Sequence, residues 1–150
     1  MKDFPDTSFL CSVYQEQPFS SEADELFSVT PKPLPVSSLL LLEFRQSIRR
    51  QVYLRSKDKN KGFARVEGEA MLRDLRADLS AGVLAAVPVD WTEVHNLAEM
   101  PSAKHTEPAG HRLADILHVA TALHLGAEIF LTRDANQRKI ARAEGKKVRA

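Results

Sequence analysis

Cysteine is almost absent from this sequence, and its scarcity excludes two common ways of stabilising a small protein. The single cysteine, Cys11, excludes an internal disulfide framework and a cysteine-rich zinc site. A chain without disulfides fits a reducing compartment, so we expect a cytoplasmic protein.

The sequence also lacks long apolar runs and a strong charge of one sign. The longest apolar run, residues 39–42, is far shorter than the roughly 20 residues of a membrane helix. Residues 1–6 contain acids and a proline where a secretory signal has an apolar segment. The net charge of +1 predicts no global attraction to nucleic acids or membranes, so any such surface must be local. We therefore expect no membrane partner.

Two kinds of catalytic motif are missing as well. No glycine-rich phosphate loop is present, and glycine contributes only six residues in total. No serine or cysteine nucleophile stands in a recognisable motif with a histidine and an acid, so we set covalent catalysis aside.

What the sequence does contain is an alternation of short apolar strands and helices. With 150 residues, of which 43% are hydrophobic, the chain predicts one compact domain over residues 1–150. The predicted strands are residues 4–5, 34–36, 83–89, 128–132 and 147–149, and helices fill most of the intervals, except for a loop at residues 101–110. This pattern favours an α/β fold with a parallel sheet covered by helices on both faces, and a site beyond the carboxyl ends of its strands.

Four carboxylates fall at positions that such a fold brings together. Asp6 and Asp134 follow strands, while Glu43 and Asp115 lie near the starts of helices. Acids gathered at one rim repel one another unless a divalent cation holds them, and Mg²⁺ or Mn²⁺ prefers oxygen ligands. Such an ion can activate water for the hydrolysis of a phosphodiester bond.

Each acid also has a purely structural explanation. Asp6 and Asp134 are suited to cap helices, and Asp115 to stabilise a first helical turn. Glu43 could pair with Arg49 or Arg50. Asp90 follows a strand and precedes Glu93 at capping-box spacing, so we assign it a capping role only.

The order of these motifs resembles the PIN domain family, and more narrowly the VapC-type ribonuclease toxins of bacterial type II toxin–antitoxin modules. The motifs are Asp6-Thr7-Ser8-Phe9-Leu10, Glu43 after an apolar run, Asp115-Ile116-Leu117-His118-Val119-Ala120, and Phe130-Leu131-Thr132-Arg133-Asp134 with Ala141 and Gly145 following. The resemblance implies a three-layer α/β/α sandwich, an endoribonuclease dependent on Mg²⁺ or Mn²⁺, a cognate antitoxin and a homodimer. It also implies that Asp6, Glu43, Asp115 and Asp134 are the catalytic metal-site acids, supported by Thr132 and Ser8.

Proline immediately before Asp6 departs from the family pattern. Pro5 lacks the N–H that a central strand donates, so we expect it to be tolerated only as the last residue of its strand.

The basic residues between 49 and 65 are the best candidates for contact with RNA. Lysine and arginine supply phosphate binding that is independent of sequence, so Arg49, Arg50 and Arg55 are candidate contacts. The structural alternative is a solvated helix–turn–helix with Phe63 in the core. Arg133 could reach a phosphate, although we favour its pairing with a carboxylate.

Four histidines have a structural interpretation. His118 and His124 lie on an apolar helix, where a satisfied core residue is the commoner outcome. His105 and His111 flank the segment before Asp115, but no motif connects them to a reaction.

Our hypothesis is thus a PIN-like, metal-dependent endoribonuclease. The alternative is a PIN-like module that binds RNA or protein without cutting. A third interpretation, a receiver-like domain with a phosphorylated aspartate, is weaker because its first strand would need to end in a pair of acids.

Overall fold

The computed structural model describes residues 2–15 and 20–149, which form five strands and seven helices. The strands are β1 Asp3–Pro5, β2 Leu34–Val36, β3 Leu84–Ala86, β4 Ile129–Leu131 and β5 Lys147–Arg149. The helices are α1 Thr7–Tyr14, α2 Ser20–Val29, α3 Ser38–Lys57, α4 Arg65–Ser80, α5 Trp91–Ala109, α6 Leu113–His124 and α7 Ala135–Ala143. The strands and helices predicted from the sequence are present, with shifts of a few residues at their ends.

Every pair of hydrogen-bonded strands in the described chain is parallel. One sheet has the order β1-β4-β5 and a second pairs β2 with β3, while β2 runs beside β1. In the order of the strands, β1 therefore has β2 on one side and β4 on the other. The carboxyl end of β1 is the place where strand order reverses, which is where sheets of this class place their sites.

Prolines account for the break in backbone hydrogen bonding between β1 and β2. The carbonyl of Lys2 and the N–H of Asp6 bond to β4, so the odd-numbered residues of β1 turn their backbone groups toward β2. Pro5 is one of them, and Pro35 is the residue of β2 that faces back, because Leu34 and Val36 bond to β3. Neither proline can donate a backbone hydrogen bond.

Pro5 is the last residue of β1, as expected, and the N–H of Asp6 still donates to the carbonyl of Leu131 at 3.0 Å.

Helices cover both faces of the strands and give the predicted three layers. Along β4, Ile129 and Leu131 contact a core that includes α1, α3 and α4, whereas Phe130 contacts a core of α5, α6 and α7. Phe4 of β1 lies on the same side as Phe130, with ring centroids 6.5 Å apart. The α/β/α fold class is confirmed.

The predicted loop at residues 101–110 is wrong, because α5 continues to Ala109. Pro101 and Pro108 both lie inside this helix. Proline removes the N–H that the carbonyl four residues earlier would accept, and that rule predicted a break. Here Pro101 is buried, α5 packs along α6, and a 2.8 Å contact from His105 Nε2 to Glu144 Oε1 fixes its last turns. Gly110 then ends the helix in the left-handed conformation.

Two apolar residues at helix starts are exposed. Leu113 at the start of α6 is 71% exposed and Val66 at the start of α4 is 68% exposed. The remainder of α6 is largely buried, Asp115 included. No helix in the described part of the chain combines the length and apolarity needed to cross a lipid bilayer.

Candidate active site

A cleft of about 400 Å³ opens beyond the carboxyl ends of β1 and β4. All four acids predicted from the sequence line it: Asp6, Glu43, Asp115 and Asp134. They come from four different elements, so only the tertiary fold brings them together.

Asp6 is the most deeply enclosed of the four, with 1% of its surface exposed. Its Oδ1 caps α1 by accepting from the backbone N–H of Phe9 at 2.9 Å and from the hydroxyl of Ser8 at 2.7 Å. Its Oδ2 accepts from the hydroxyl of Thr132 at 2.5 Å. Burial raises the pKa of Asp6 to about 6, against these hydrogen bonds and the nearby His118, which lower it.

Thr132 and Ser8 connect the ends of β1 and β4. The hydroxyl of fully buried Thr132 also accepts from the backbone N–H of Asp134 at 3.0 Å and lies 3.2 Å from that of Ser8. Ser8 in turn accepts from the backbone N–H of Arg133 at 2.8 Å. This geometry suits the supporting role that the resemblance implied for these two residues.

Asp134 both caps a helix and lines the cleft. Its Oδ1 accepts from the backbone N–H groups of Asn136 and Gln137, at 2.8 and 2.9 Å. The capping role that we weighed against a site role is therefore real, and the two roles are compatible because a carboxylate has a second oxygen.

Asp115 is buried and held by two side chains that the sequence did not single out. Arg112 Nε lies 3.3 Å from its Oδ2, and Gln137 Nε2 lies 3.3 Å from its Oδ1. Gln137 itself is only 3% exposed.

Glu43 contacts His118 rather than an arginine. Its Oε1 lies 3.3 Å from Nε2 of His118, which is also 3.3 Å from the hydroxyl of Thr7. Burial alone would raise the pKa of Glu43, but hydrogen bonds with His118 and Thr7, together with the charges of His118 and Arg112, hold it below its usual value. His118 is fully buried, as predicted, and it contacts Glu43 and Thr7, which line the acid cleft.

The sequence does contain a signal for His118. It follows Asp115 by three residues, which places both side chains on one face of α6. His105 and His111 do not contact the acids of the cleft. His105 contacts Glu144, and His111 is buried beside His105.

The four candidate RNA-contacting arginines lie at four different places. Arg50 lines the acid cleft, and Arg49 lines a neighbouring groove between α3 and α4. Arg55 is exposed near the end of α3. Arg133 reaches Glu22 at 3.3 Å, which is the pairing with a carboxylate that we favoured. Phe63 packs against the core, in line with its structural interpretation.

The carboxylate oxygens of the four acids suit a hard divalent cation, although they face hydrogen-bond and ion-pair partners within the protein. Carboxylates are the ligands that Mg²⁺ and Mn²⁺ prefer, and four of them share this cleft. Among the residues that the structure describes, no three acid, histidine or cysteine side chains converge closely enough to hold an ion as placed. The contacts of Asp115 with Arg112 and Gln137 show how its charge is balanced in this arrangement.

Comparison with known proteins places the chain in a family. The model of the PIN domain matches residues 4–143. Comparison with the sequences of curated proteins gives no match.

Solved structures share the fold at low sequence identity. VapC20 of Mycobacterium tuberculosis, described as a sarcin–ricin loop cleaving toxin, is 17% identical, with a TM-score of 0.65 over 92% of this chain and 94% of that one. VapBC2 of Rickettsia felis, solved with a DNA fragment from its promoter, is 16% identical, with a TM-score of 0.64 over 99% and 98%. VapBC-1 of nontypeable Haemophilus influenzae is 12% identical, with a TM-score of 0.61 over 99% and 97%.

Proposed function

Because the chain belongs to the PIN domain family, we propose that it is a metal-dependent endoribonuclease and the toxin of a toxin–antitoxin pair. The observation that carries this proposal is the gathering of Asp6, Glu43, Asp115 and Asp134 around one cleft. Nothing in the helix-capping roles of Asp6 and Asp134 requires Glu43 and Asp115 to face the same space.

The four acids would hold one or two Mg²⁺ or Mn²⁺ ions. When bound, such an ion lowers the pKa of a coordinated water and neutralises negative charge that grows on the phosphoryl group. The protein residues supply the rest: Thr132 and Ser8 fix the carboxylate of Asp6, and Gln137 orients that of Asp115.

The reaction that suits this site is hydrolysis of the RNA backbone. The oxygen of water bonds to phosphorus while the bond from phosphorus to the 3′ oxygen breaks, which leaves a 5′-phosphate and a 3′-hydroxyl. Arg50 at the cleft carries positive charge that can meet the phosphate backbone, and Arg49 and Arg55 extend that charge along α3.

Cleavage of a total RNA pool with Mg²⁺, with Mn²⁺ and with EDTA tests this proposal. We expect cuts only with metal, and sequencing of the ends should find 5′-phosphates. Asp115→Asn should remove cleavage while the protein stays folded. Asp90→Asn is the matched control, because Asp90 is also an acid at a helix start but caps the exposed end of α5. Full activity of Asp115→Asn would exclude the assignment.

One observation favours the alternative, a PIN-like module that binds RNA or protein without cutting it. Each acid already has at least one internal partner in this arrangement, so none of them depends on an ion for all of its contacts. RNA binding that is unchanged by EDTA, with no cleavage products, would support that alternative.

The proposal includes a cognate antitoxin, because two of the similar solved structures are of VapBC pairs. Induced expression of the chain should arrest bacterial growth, and the Asp115→Asn variant should not. Coexpression of the cognate antitoxin should restore growth.

We also propose a homodimer, formed through an apolar groove between α3, α5 and α6. Leu39, Leu42, Trp91, His95 and Leu117 line this groove, and Leu42 is 59% exposed. Light scattering should show a dimer for the unmodified protein and a monomer for Leu42→Glu, since a buried glutamate without a partner is costly.

A further inference from the structure

Arg112 occupies a helix position for which arginine is poorly suited. It is the N-cap of α6, with extended backbone angles and no capping hydrogen bond from its side chain. Serine, threonine, aspartate and asparagine are preferred there, because they accept from the free N–H groups of the first turn. A cation near the positive end of the helix dipole is also electrostatically unfavourable. Helix stability therefore does not explain this residue.

The acid cleft does explain it. Arg112 lines the cleft, and its Nε lies 3.3 Å from Oδ2 of Asp115. Its pKa is raised, first by the charge of Asp115 and by their hydrogen bond, and further by the charges of Asp134 and Glu43. Three of the four acids thus act on one guanidinium group.

The contact is also easy to release. The side chain of Arg112 is 79% exposed, whereas that of Asp115 is only 11% exposed. Asp115 is fixed inside the protein, while Arg112 can turn outward into water without uncovering apolar core.

We propose that Arg112 is a built-in counterion of the acid site, which a divalent cation must displace from Asp115 in order to bind. This inference rests on the proposed function, because it concerns the same metal site. Arg112 would keep the acids together without an ion and would lower the affinity for Mg²⁺ or Mn²⁺. An ion pair with one largely exposed partner is weak, so its removal should raise metal affinity by about two- to tenfold and not by orders of magnitude.

Binding of Mn²⁺ alone, without RNA, tests the proposal. Electron paramagnetic resonance reports free Mn²⁺ directly, and the shift of the melting temperature with Mn²⁺ gives a second readout. Arg112→Gln should bind Mn²⁺ about two- to tenfold more tightly than the unmodified protein. Arg112→Lys keeps the positive charge and should stay closer to the unmodified protein.

Arg65→Gln is the matched control for charge. Arg65 is exposed, lies in the first turn of α4 and lines the groove beside Arg49 and not the acid cleft. This variant loses the same charge from a helix start, so we expect its Mn²⁺ affinity to remain near that of the unmodified protein. Circular dichroism establishes that each variant is folded before it is titrated.

The outcomes separate this inference from the proposed function. Mn²⁺ affinity of Arg112→Gln that is equal to or weaker than that of the unmodified protein would overturn the counterion role, even if metal-dependent cleavage is found. An equal increase in Arg65→Gln would also overturn it, because general charge would then explain the effect. If neither the unmodified protein nor Arg112→Gln binds Mn²⁺ at millimolar concentration, both proposals fail.

Discussion

The buried carboxyl group of Asp6 makes a prediction about how stability depends on pH. In the folded protein its pKa is about 6, whereas the ordinary value is 3.8. Between these values the folded protein holds a proton that the unfolded chain has released. Stability must therefore fall as the pH rises from about 4 to about 6, and this contribution becomes constant at higher pH.

The size of the effect follows from the two pKa values. Their difference corresponds to about 3 kcal/mol, since one pH unit is worth about 1.4 kcal/mol. That is a substantial part of the roughly 5–15 kcal/mol by which a domain is usually stable. The cost arises because burial penalises the ionised form more than the hydroxyl groups of Thr132 and Ser8 and the N–H of Phe9 compensate.

Urea unfolding of the unmodified protein and of Asp6→Asn, from pH 4 to pH 8 in EDTA, measures this effect. Other groups titrate in both proteins, so the informative quantity is the difference between their free energies of unfolding. We expect the stability of the unmodified protein relative to Asp6→Asn to fall by about 2–2.5 kcal/mol from pH 4 to pH 7, because part of the total effect is already present at pH 4.

Asp90→Asn provides the control, since it also removes a carboxylate that caps a helix, but an exposed one. Its free energy of unfolding, plotted against pH, should stay parallel to that of the unmodified protein. The account of Asp6 as a carboxyl group penalised by burial is refuted if the free energy of unfolding of the unmodified protein, relative to that of Asp6→Asn, stays constant or rises with pH.

Two further predictions concern stability. Thr132→Val keeps the shape of a buried side chain but leaves Oδ2 of Asp6 without its hydroxyl donor, so we expect a loss of about 2–4 kcal/mol by urea unfolding. Thr132→Ser keeps the hydroxyl and should lose about 1 kcal/mol, and equal losses in the two variants would contradict this reasoning. Gly62→Ala should destabilise strongly, because a Cβ there would stand 1.9 Å from the carbonyl oxygen of Gln51, whereas Gly110→Ala, also at positive φ but with open space around it, should lose only about 1–2 kcal/mol. Similar melting temperatures for the two glycine variants would show that the backbone of the turn relaxes.

The acids were predictable because local sequence rules and the chemistry of the site favour the same residue type. The turn after a strand of this fold opens a helix, and aspartate is both a good helix cap and a good oxygen ligand. Asp6 and Asp134 were found for that reason, and both in fact cap helices. The alternation of strands and helices then indicated that they share one edge of the sheet.

The path of α5 was not predictable from the same rules. Each proline in isolation favours a break, and local sequence carries no information about what lies across the space from it. The packing of α5 along α6 and the contact between His105 and Glu144 join residues far apart in sequence. Tertiary contacts therefore outweighed the local cost of Pro101 and Pro108.

The partners of the acids show a similar limit and point to how the site is organised. Gln137 of α7 contacts Asp115 of α6, and His118 of α6 contacts Glu43 of α3, so neither pairing follows from sequence spacing. Arg112 differs, because it lies three residues before Asp115, and its poor fit to an N-cap was readable in the sequence once α6 was located. When a residue is unfavourable for its own helix but lies beside a cluster of opposite charge, the charged site explains its presence better than the helix does. For Arg112, that reason is the charge of Asp115, Asp134 and Glu43, which the fold concentrates around the proposed cation site.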